Sequence, residues 1–110
     1  MLNNANPTSM KAAIENFARM AGTDKVLMLG GMMELGNESV KEHQAIVDLI
    51  NEYTWTHIVL VGGDFNQTKG DHLYFTNSTE AAVWYKEQHF ENTAILIKGS
   101  RSMQMEKVVK

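Results

Sequence analysis

The sequence predicts an α/β domain built on a mainly parallel sheet with helices on both faces. Two observations carry this. Short apolar runs at Lys25–Leu29, His57–Val61 and Ala94–Ile97 are each closed by glycine or by a cation and a glycine. Between them lie segments whose apolar residues recur at helical spacing. The order helix, strand, helix, strand, strand, helix, strand, helix alternates as parallel sheets with crossover helices do.

The elements follow in order. Asn6-Pro7 reads as a helix start, with Asn6 as N-cap and Pro7 in the first turn. Met10, Ile14 and Phe17 then mark an inner face, and Gly22 ends the helix. Lys25–Leu29 is a strand closed by Gly30-Gly31, and a loop from Met32 to Asn37 leads to a second helix. Ser39 and Glu42 fit a capping box, and Val40, His43, Val47 and Ile50 line one face to about Tyr53. His57–Val61 is a strand closed by Gly62-Gly63; Asp64 to Asp71 is a polar loop; Leu73–Thr76 is a short strand. Asn77 caps a third helix, with Ala81, Trp84 and Tyr85 facing inward. Ala94–Ile97 reads as a strand covered on both faces, because it is four apolar residues without alternation. Ser100 or Ser102 caps a last helix that runs to the chain end. The chain opens on a helix cap, whereas such folds feed their first helix from a buried strand. The expectation is that this first strand is missing and that Met1-Leu2-Asn3 marks an artificial or truncated start.

The 110 residues predict a single domain over 1–110, with enough chain for a real core. A net charge of −3 gives no reason to expect nucleic acid or an acidic membrane as partner. The absence of cysteine excludes disulfides, thiol catalysis and zinc–thiolate sites. No signal peptide and no apolar run of membrane-spanning length is present. The eight methionines read as gap-filling core or near-core side chains.

Four stretches invite a chemical reading. Lys98-Gly99-Ser100-Arg101 places two cations at a strand's carboxyl end, where open α/β sheets bind ligands and where a carboxylate or phosphate is well received; the same side chains also read as solvated charges paired with acids such as Glu106. Asn4-Ala5-Asn6-Pro7 offers two side-chain amides that suit a nucleoside, or a plain helix cap. Gly30-Gly31-Met32-Met33-Glu34-Leu35-Gly36 lacks the lysine of a Walker loop and the glycine spacing of a dinucleotide fingerprint, so it reads either as bare backbone for a phosphate or as a strand-end turn. Gly62-Gly63-Asp64-Phe65 carries the same ambiguity. His43, His57, His72 and His89 have no metal-ligand spacing, and His43 reads as a buried, hydrogen-bonded histidine. No Gly-x-Ser-x-Gly elbow is present, and Asn77-Ser78-Thr79 matches a glycosylation acceptor that helix capping explains.

Taken together, Asn4–Met10, Leu29–Gly36 with His43 downstream, and Leu96–Glu106 resemble, in order and spacing, the C-terminal domain of the Mur ligases. The resemblance covers nearly the whole chain. It implies a Rossmann-like domain that closes over ATP and holds the incoming amino acid or dipeptide of a three-domain cytoplasmic enzyme. The implied reaction is amide formation through an acyl phosphate, with Mg2+ balancing the phosphate charge. ATP and Mg2+ would be bound mainly by an absent central domain, and UDP-N-acetylmuramoyl-tripeptide by absent domains. Carried over by position, Asn4 and Asn6 are ATP-side residues. Lys98, Ser100 and Arg101 receive the carboxylate of D-alanyl-D-alanine, and Gly63 and Asp64 read the incoming substrate. No catalytic residue and no metal ligand is assigned to this chain, which is expected to be inactive alone and monomeric. Two residues depart from the family pattern: Gly31 stands where Asp is usual, and Asn3 where Tyr is usual. Two alternatives remain: a stand-alone, non-enzymatic Rossmann-like small-molecule binding module, or a Mur ligase adding L-Ala, D-Glu or a diamino acid.

Overall fold

The computed structural model describes residues 5–110. It contains α1 (Pro7–Arg19), β1 (Lys25–Gly30), α2 (Ser39–Ile50), β2 (His57–Val61), α3 (Phe65–Thr68), β3 (Leu73–Phe75), α4 (Ser78–Gln88) and β4 (Ala94–Lys98). A 3-10 turn, Gly36–Glu38, precedes α2, and two more, Arg101–Met103 and Met105–Val109, follow β4. The four strands form one parallel sheet in the order β3-β2-β1-β4.

The strand order decides where the helices go. The chain moves from β1 to β2 to β3 in one direction, then jumps back past both to reach β4. Right-handed crossovers therefore put α2 on one face and α4 on the other. On the first face Leu27, Leu29 and Leu60 pack against Met10, Ile14 and Phe17 of α1 and Ile46, Val47 and Ile50 of α2. On the second, Val26, Met28, Val59 and Val61 pack against Ala81, Met105 and Val108. Each fully buried aliphatic side chain contributes about 1.5–3 kcal/mol, so these two layers hold the strand ends in place.

Local chemistry explains most boundaries. The Asn6 side chain accepts from the Ser9 amide at 2.9 Å while Ser9 Oγ accepts from the Asn6 amide at 3.1 Å, a reciprocal cap. At the other end of α1, Lys25 Nζ donates to the carbonyls of Ala18 (3.0 Å) and Met20, so the first residue of β1 closes the helix before it. Asn77 caps α4 by accepting from the Glu80 amide at 2.9 Å, and the Glu80 carboxylate accepts from the Thr76 amide (2.9 Å) and hydroxyl (2.6 Å). Those Thr76 hydrogen bonds, the hydroxyl's first, hold the Glu80 carboxyl below its ordinary range.

Several expectations are corrected. Ser39 is the first residue of α2 and makes no cap; the 3-10 turn Gly36–Glu38 runs straight into the helix, and Ser39 turns to His43 instead. Val40 is 41% exposed, and Ile46 takes the inner position. The polar stretch after Gly63 contains a single helical turn, α3, because Phe65 and Thr68 both find buried positions and Thr68 Oγ1 donates to the Asp64 carbonyl at 3.0 Å. β4 is half-buried along its whole length, since it forms the sheet's edge and has a neighbour on one side only. The last helix is replaced by two 3-10 turns divided at Gln104, whose backbone is left-handed (φ 50°). Neither Ser100 nor Ser102 caps them by a side chain. Three residues per turn put Met105 and Val108 on one line facing the sheet. Met10, Met28, Met32 and Met105 are buried, but Met20 and Met33 are exposed. No described helix is long and apolar enough to cross a membrane.

Candidate functional site

β1 lies between β2 and β4, and the chain's direction of travel reverses between β1 and β4, so the crevice expected of such a sheet opens at the carboxyl ends of these strands. Three glycine turns meet there. The Gly31 amide donates to the Val61 carbonyl at 2.9 Å, the Ser100 amide to the Gly31 carbonyl at 3.3 Å, and the Gly62 amide to the Phe75 carbonyl at 2.9 Å. The backbones touch. A Cβ on Gly31 would lie 2.8 Å from the Gly63 Cα, and one on Gly99 would lie 2.9 Å from the Gly30 Cα. Gly62 and Gly63 are in addition left-handed, at φ 68° and 56°. At Gly31 the neighbouring turn occupies the space a side chain would need.

Beside this glycine cluster is a cavity of about 310 Å³, walled by Met32–Gly36 and Ser39 on one side and by Gly63 and Asp64 on the other. Glu34 in its wall has a left-handed backbone (φ 63°), uncommon for a residue with a side chain. Asp64 is half-buried, and its carboxylate accepts from the Gln67 side-chain amide at 3.3 Å. Behind the wall, fully buried His43 accepts from the Met32 amide through Nε2 at 2.9 Å. Its Nδ1 lies 2.7 Å from the Ser39 carbonyl, and since a carbonyl only accepts, Nδ1 carries the proton. The His43 ring meets Phe65 edge-on, with centroids 4.7 Å apart. A larger groove of about 530 Å³ lies between α1 and α2, but it is lined by Glu15, Glu42, Asp48 and Glu52 with only Lys11 opposing them. It has neither the glycine turns nor the strand ends that recommend the smaller cavity.

The residues singled out in the sequence divide into groups. Gly63 and Asp64 line the cavity. Lys98 ends β4, paired with Leu29, and is half-buried; Arg101 is exposed at the start of the next turn. Ser100 is only 1% exposed: its amide is on Gly31 and its hydroxyl lies 3.1 Å from that of Ser102, so it ties the turn down and presents little surface to a ligand. The two groups share the carboxyl end of the sheet but flank Gly31 from opposite sides, and the Lys98–Arg101 group does not line the cavity. Asn6 caps α1 with its side-chain oxygen, and Asn4 lies outside the described residues. Among the described residues no group of three or more His, Asp or Glu stands together to hold a metal. Met32, Met33 and Leu35 belong to the Gly30–Gly36 stretch, read in the sequence for its bare backbone; in the structure it is their side of the loop that walls the cavity. Their only signal in the sequence is the run between Gly31 and Gly36 directly after a strand.

A parallel sheet with helices on both faces and bare glycine turns at strand ends defines a Rossmann-like domain. A family model described as "Mur ligase, glutamate ligase domain" matches residues 3–101, and the chain belongs to the Mur ligase family through this domain. It is 33% identical over 112 residues to the UDP-N-acetylmuramoyl-tripeptide–D-alanyl-D-alanine ligase of Rickettsia prowazekii (strain Madrid E), covering 96% of this chain and 25% of that protein. The ligase of the same name from Buchnera aphidicola subsp. Acyrthosiphon pisum (strain APS) is 34% identical, with 96% and 24% covered. Among solved structures, MurF from Acinetobacter baumannii superposes with a TM-score of 0.79 at 29% identity, over 96% of this chain and 25% of that one. MurF from Thermotoga maritima, in complex with ADP, gives 0.79 at 21% identity over 97% and 25%, a likeness of fold. The chain therefore spans about a quarter of the length of the relatives it matches.

Proposed function

We propose that this chain is the C-terminal domain of an ATP-dependent ligase that joins D-alanyl-D-alanine to UDP-N-acetylmuramoyl-tripeptide in the making of a peptidoglycan precursor. The observation that carries the proposal is the match along nearly the whole chain to relatives bearing that name. The cleft at the strand ends is consistent with it. ATP, bound mainly by other domains, would supply the phosphoryl group that activates the tripeptide's carboxylate. Mg2+, bound mainly by the central domain together with ATP, would balance the phosphate charge.

In this reading the chain orients the incoming amine. Arg101 holds the dipeptide carboxylate through its planar fork, and Lys98 adds positive field at the end of β4. Ser100 keeps their turn on Gly31. Gly63 and Asp64 form the far wall that reads the dipeptide's body. Held in line with an acyl phosphate made on a neighbouring domain, the amine attacks the carbonyl carbon, the carbon–oxygen bond to phosphate breaks, the nitrogen's proton leaves with the phosphate or to water, and an amide forms. The contribution is proximity and closure rather than acid–base chemistry. Asn6, whose side-chain oxygen is engaged at the cap, and Asn4 remain the ATP-side residues of the proposal. The enzyme would work in the cytoplasm as a monomer.

The test is an amide chemical-shift titration of the chain with D-Ala-D-Ala and, as control, L-Ala-L-Ala. Shifts confined to Gly62–Phe65 and Lys98–Arg101, seen with the D-dipeptide alone and weakened at least about tenfold in Arg101→Ala, are expected. Equal shifts with both dipeptides, or shifts elsewhere, would refute the site.

A further inference from the structure

His43 is the one buried histidine of the described residues, and the proposed reaction gives it no part. It sits where the cavity's two walls are held. Nε2 receives the Met32 amide, the first residue of the β1–α2 loop wall, at 2.9 Å. Nδ1–H is held by the Ser39 carbonyl at 2.7 Å, in the first turn of α2. The ring edge packs on Phe65 with centroids 4.7 Å apart, and an added Cβ on Gly63 would lie 3.5 Å from Nε2. One rigid ring therefore touches the loop after β1, the helix that follows it, and the turn after β2. A buried histidine that served the core alone could bond anywhere. This one spends its acceptor on the backbone of the loop that lines the cavity.

We infer that His43 is a positioning residue of the dipeptide site, fixing the Met32–Gly36 wall against the Gly63–Asp64 wall so that the cavity keeps one width. This rests on the proposed reading of the site only for the identity of the ligand; the hydrogen-bond geometry stands without it. Glutamine and asparagine separate the two ring nitrogens. A Gln carbonyl can take the place of Nε2 and accept from Met32, while an Asn amide can take the place of Nδ1 and donate to Ser39 but falls short of the loop.

The experiment compares His43→Gln and His43→Asn in this chain by amide hydrogen exchange and by D-Ala-D-Ala titration. Exchange at Met32 is read relative to Leu27 and Leu29 of β1, which cancels any change in global stability. In His43→Asn the relative protection of Met32 should fall about tenfold or more, and in His43→Gln it should stay within about threefold of the parent. Dipeptide affinity should follow the same order. Equal behaviour of the two variants at Met32 would overturn the assignment. The split at Met32 with no dipeptide-dependent shift in any protein, parent included, would support the positioning role and reject the ligand reading instead. Should neither variant fold, imidazole 15N shifts of the parent decide: protonated Nδ1 with an acceptor Nε2 is expected, and protonated Nε2 overturns the inference.

Discussion

Replacing Gly31 with alanine tests the packing on which the site depends. The new Cβ would lie 2.8 Å from the Gly63 Cα, 3.0 Å from the Gly62 carbonyl oxygen and 3.1 Å from the Gly63 amide nitrogen. Ordinary contact begins at 3.4 Å, so the two turns must separate by about 0.6 Å. All three atoms are backbone, so no side chain can rotate away. The same movement strains Gly31 N–H to Val61 O, now 2.9 Å, and Ser100 N–H to Gly31 O, already 3.3 Å. Overpacking of this kind costs about 1–3 kcal/mol, and a weakened hydrogen bond about 1 kcal/mol. The expected loss is about 2–4 kcal/mol, read as a lower urea midpoint at unchanged m-value. Gly30→Ala is the comparison: its Cβ would meet Met105 Cγ at 2.8 Å and Sδ at 3.0 Å, which can shift, and Met103 Cβ at 3.0 Å, which moves only with its turn, so a smaller loss of about 1–2 kcal/mol is expected. Gly31→Asp should cost at least as much as Gly31→Ala, because its larger side chain meets the same backbone atoms. A Gly31→Ala loss under about 0.5 kcal/mol, the scatter of ordinary surface changes, would show that the turns have room and would refute the reasoning.

Other predictions follow from single contacts. Asn6→Ala removes the reciprocal cap with Ser9 and should cost about 1 kcal/mol in urea unfolding, while Asn6→Asp retains most of it. Lys25→Met leaves the Ala18 and Met20 carbonyls without their donor; about 1–3 kcal/mol should be lost, with amide exchange accelerated first in the last turn of α1. Met105→Ala empties the space over Gly30 and Gly99 and should cost about 2–4 kcal/mol by the same assay. The Glu80 carboxyl should titrate below its ordinary value of 4.5 by NMR. A depressed folded value means that its contribution is present above the unfolded value and fades as pH falls through the folded one; Glu80→Gln should remove that component of acid sensitivity.

What could be read in the residues was mostly local. Asn6 with Pro7 and Asn77 with Glu80 announce helix starts by chemistry confined to a single turn, and both caps form as expected. Ser39 with Glu42 has the same spelling and no cap, because the preceding 3-10 turn already satisfies the helix entry and His43 competes for Ser39. The apolar run of β4 reads as central although the strand is an edge, since apolar composition does not state how many neighbours a strand has. The two groups proposed to meet the substrate, Gly63–Asp64 and Lys98–Arg101, were legible as strand ends. That a cavity forms at one of them, with Met32–Leu35 as its wall, was not.

Alternation of strands and helices, the inner faces of α1 and α4, the glycines that close β1, β2 and β4 and the family itself are determined by the sequence alone. Each is a property of period, composition or short motif that needs no distant partner. The tertiary structure decided that β1 lies between β2 and β4, that Gly31 and Gly63 touch, that Ser100 is buried while Arg101 is exposed, and that His43 joins two loops. These depend on which strands pair and on right-handed crossovers that bring separate segments together, from Met32 and His43, 11 positions apart, to Gly31 and Gly63 after successive strands. No local pattern specifies such pairs, because the packing of the two layers selects them.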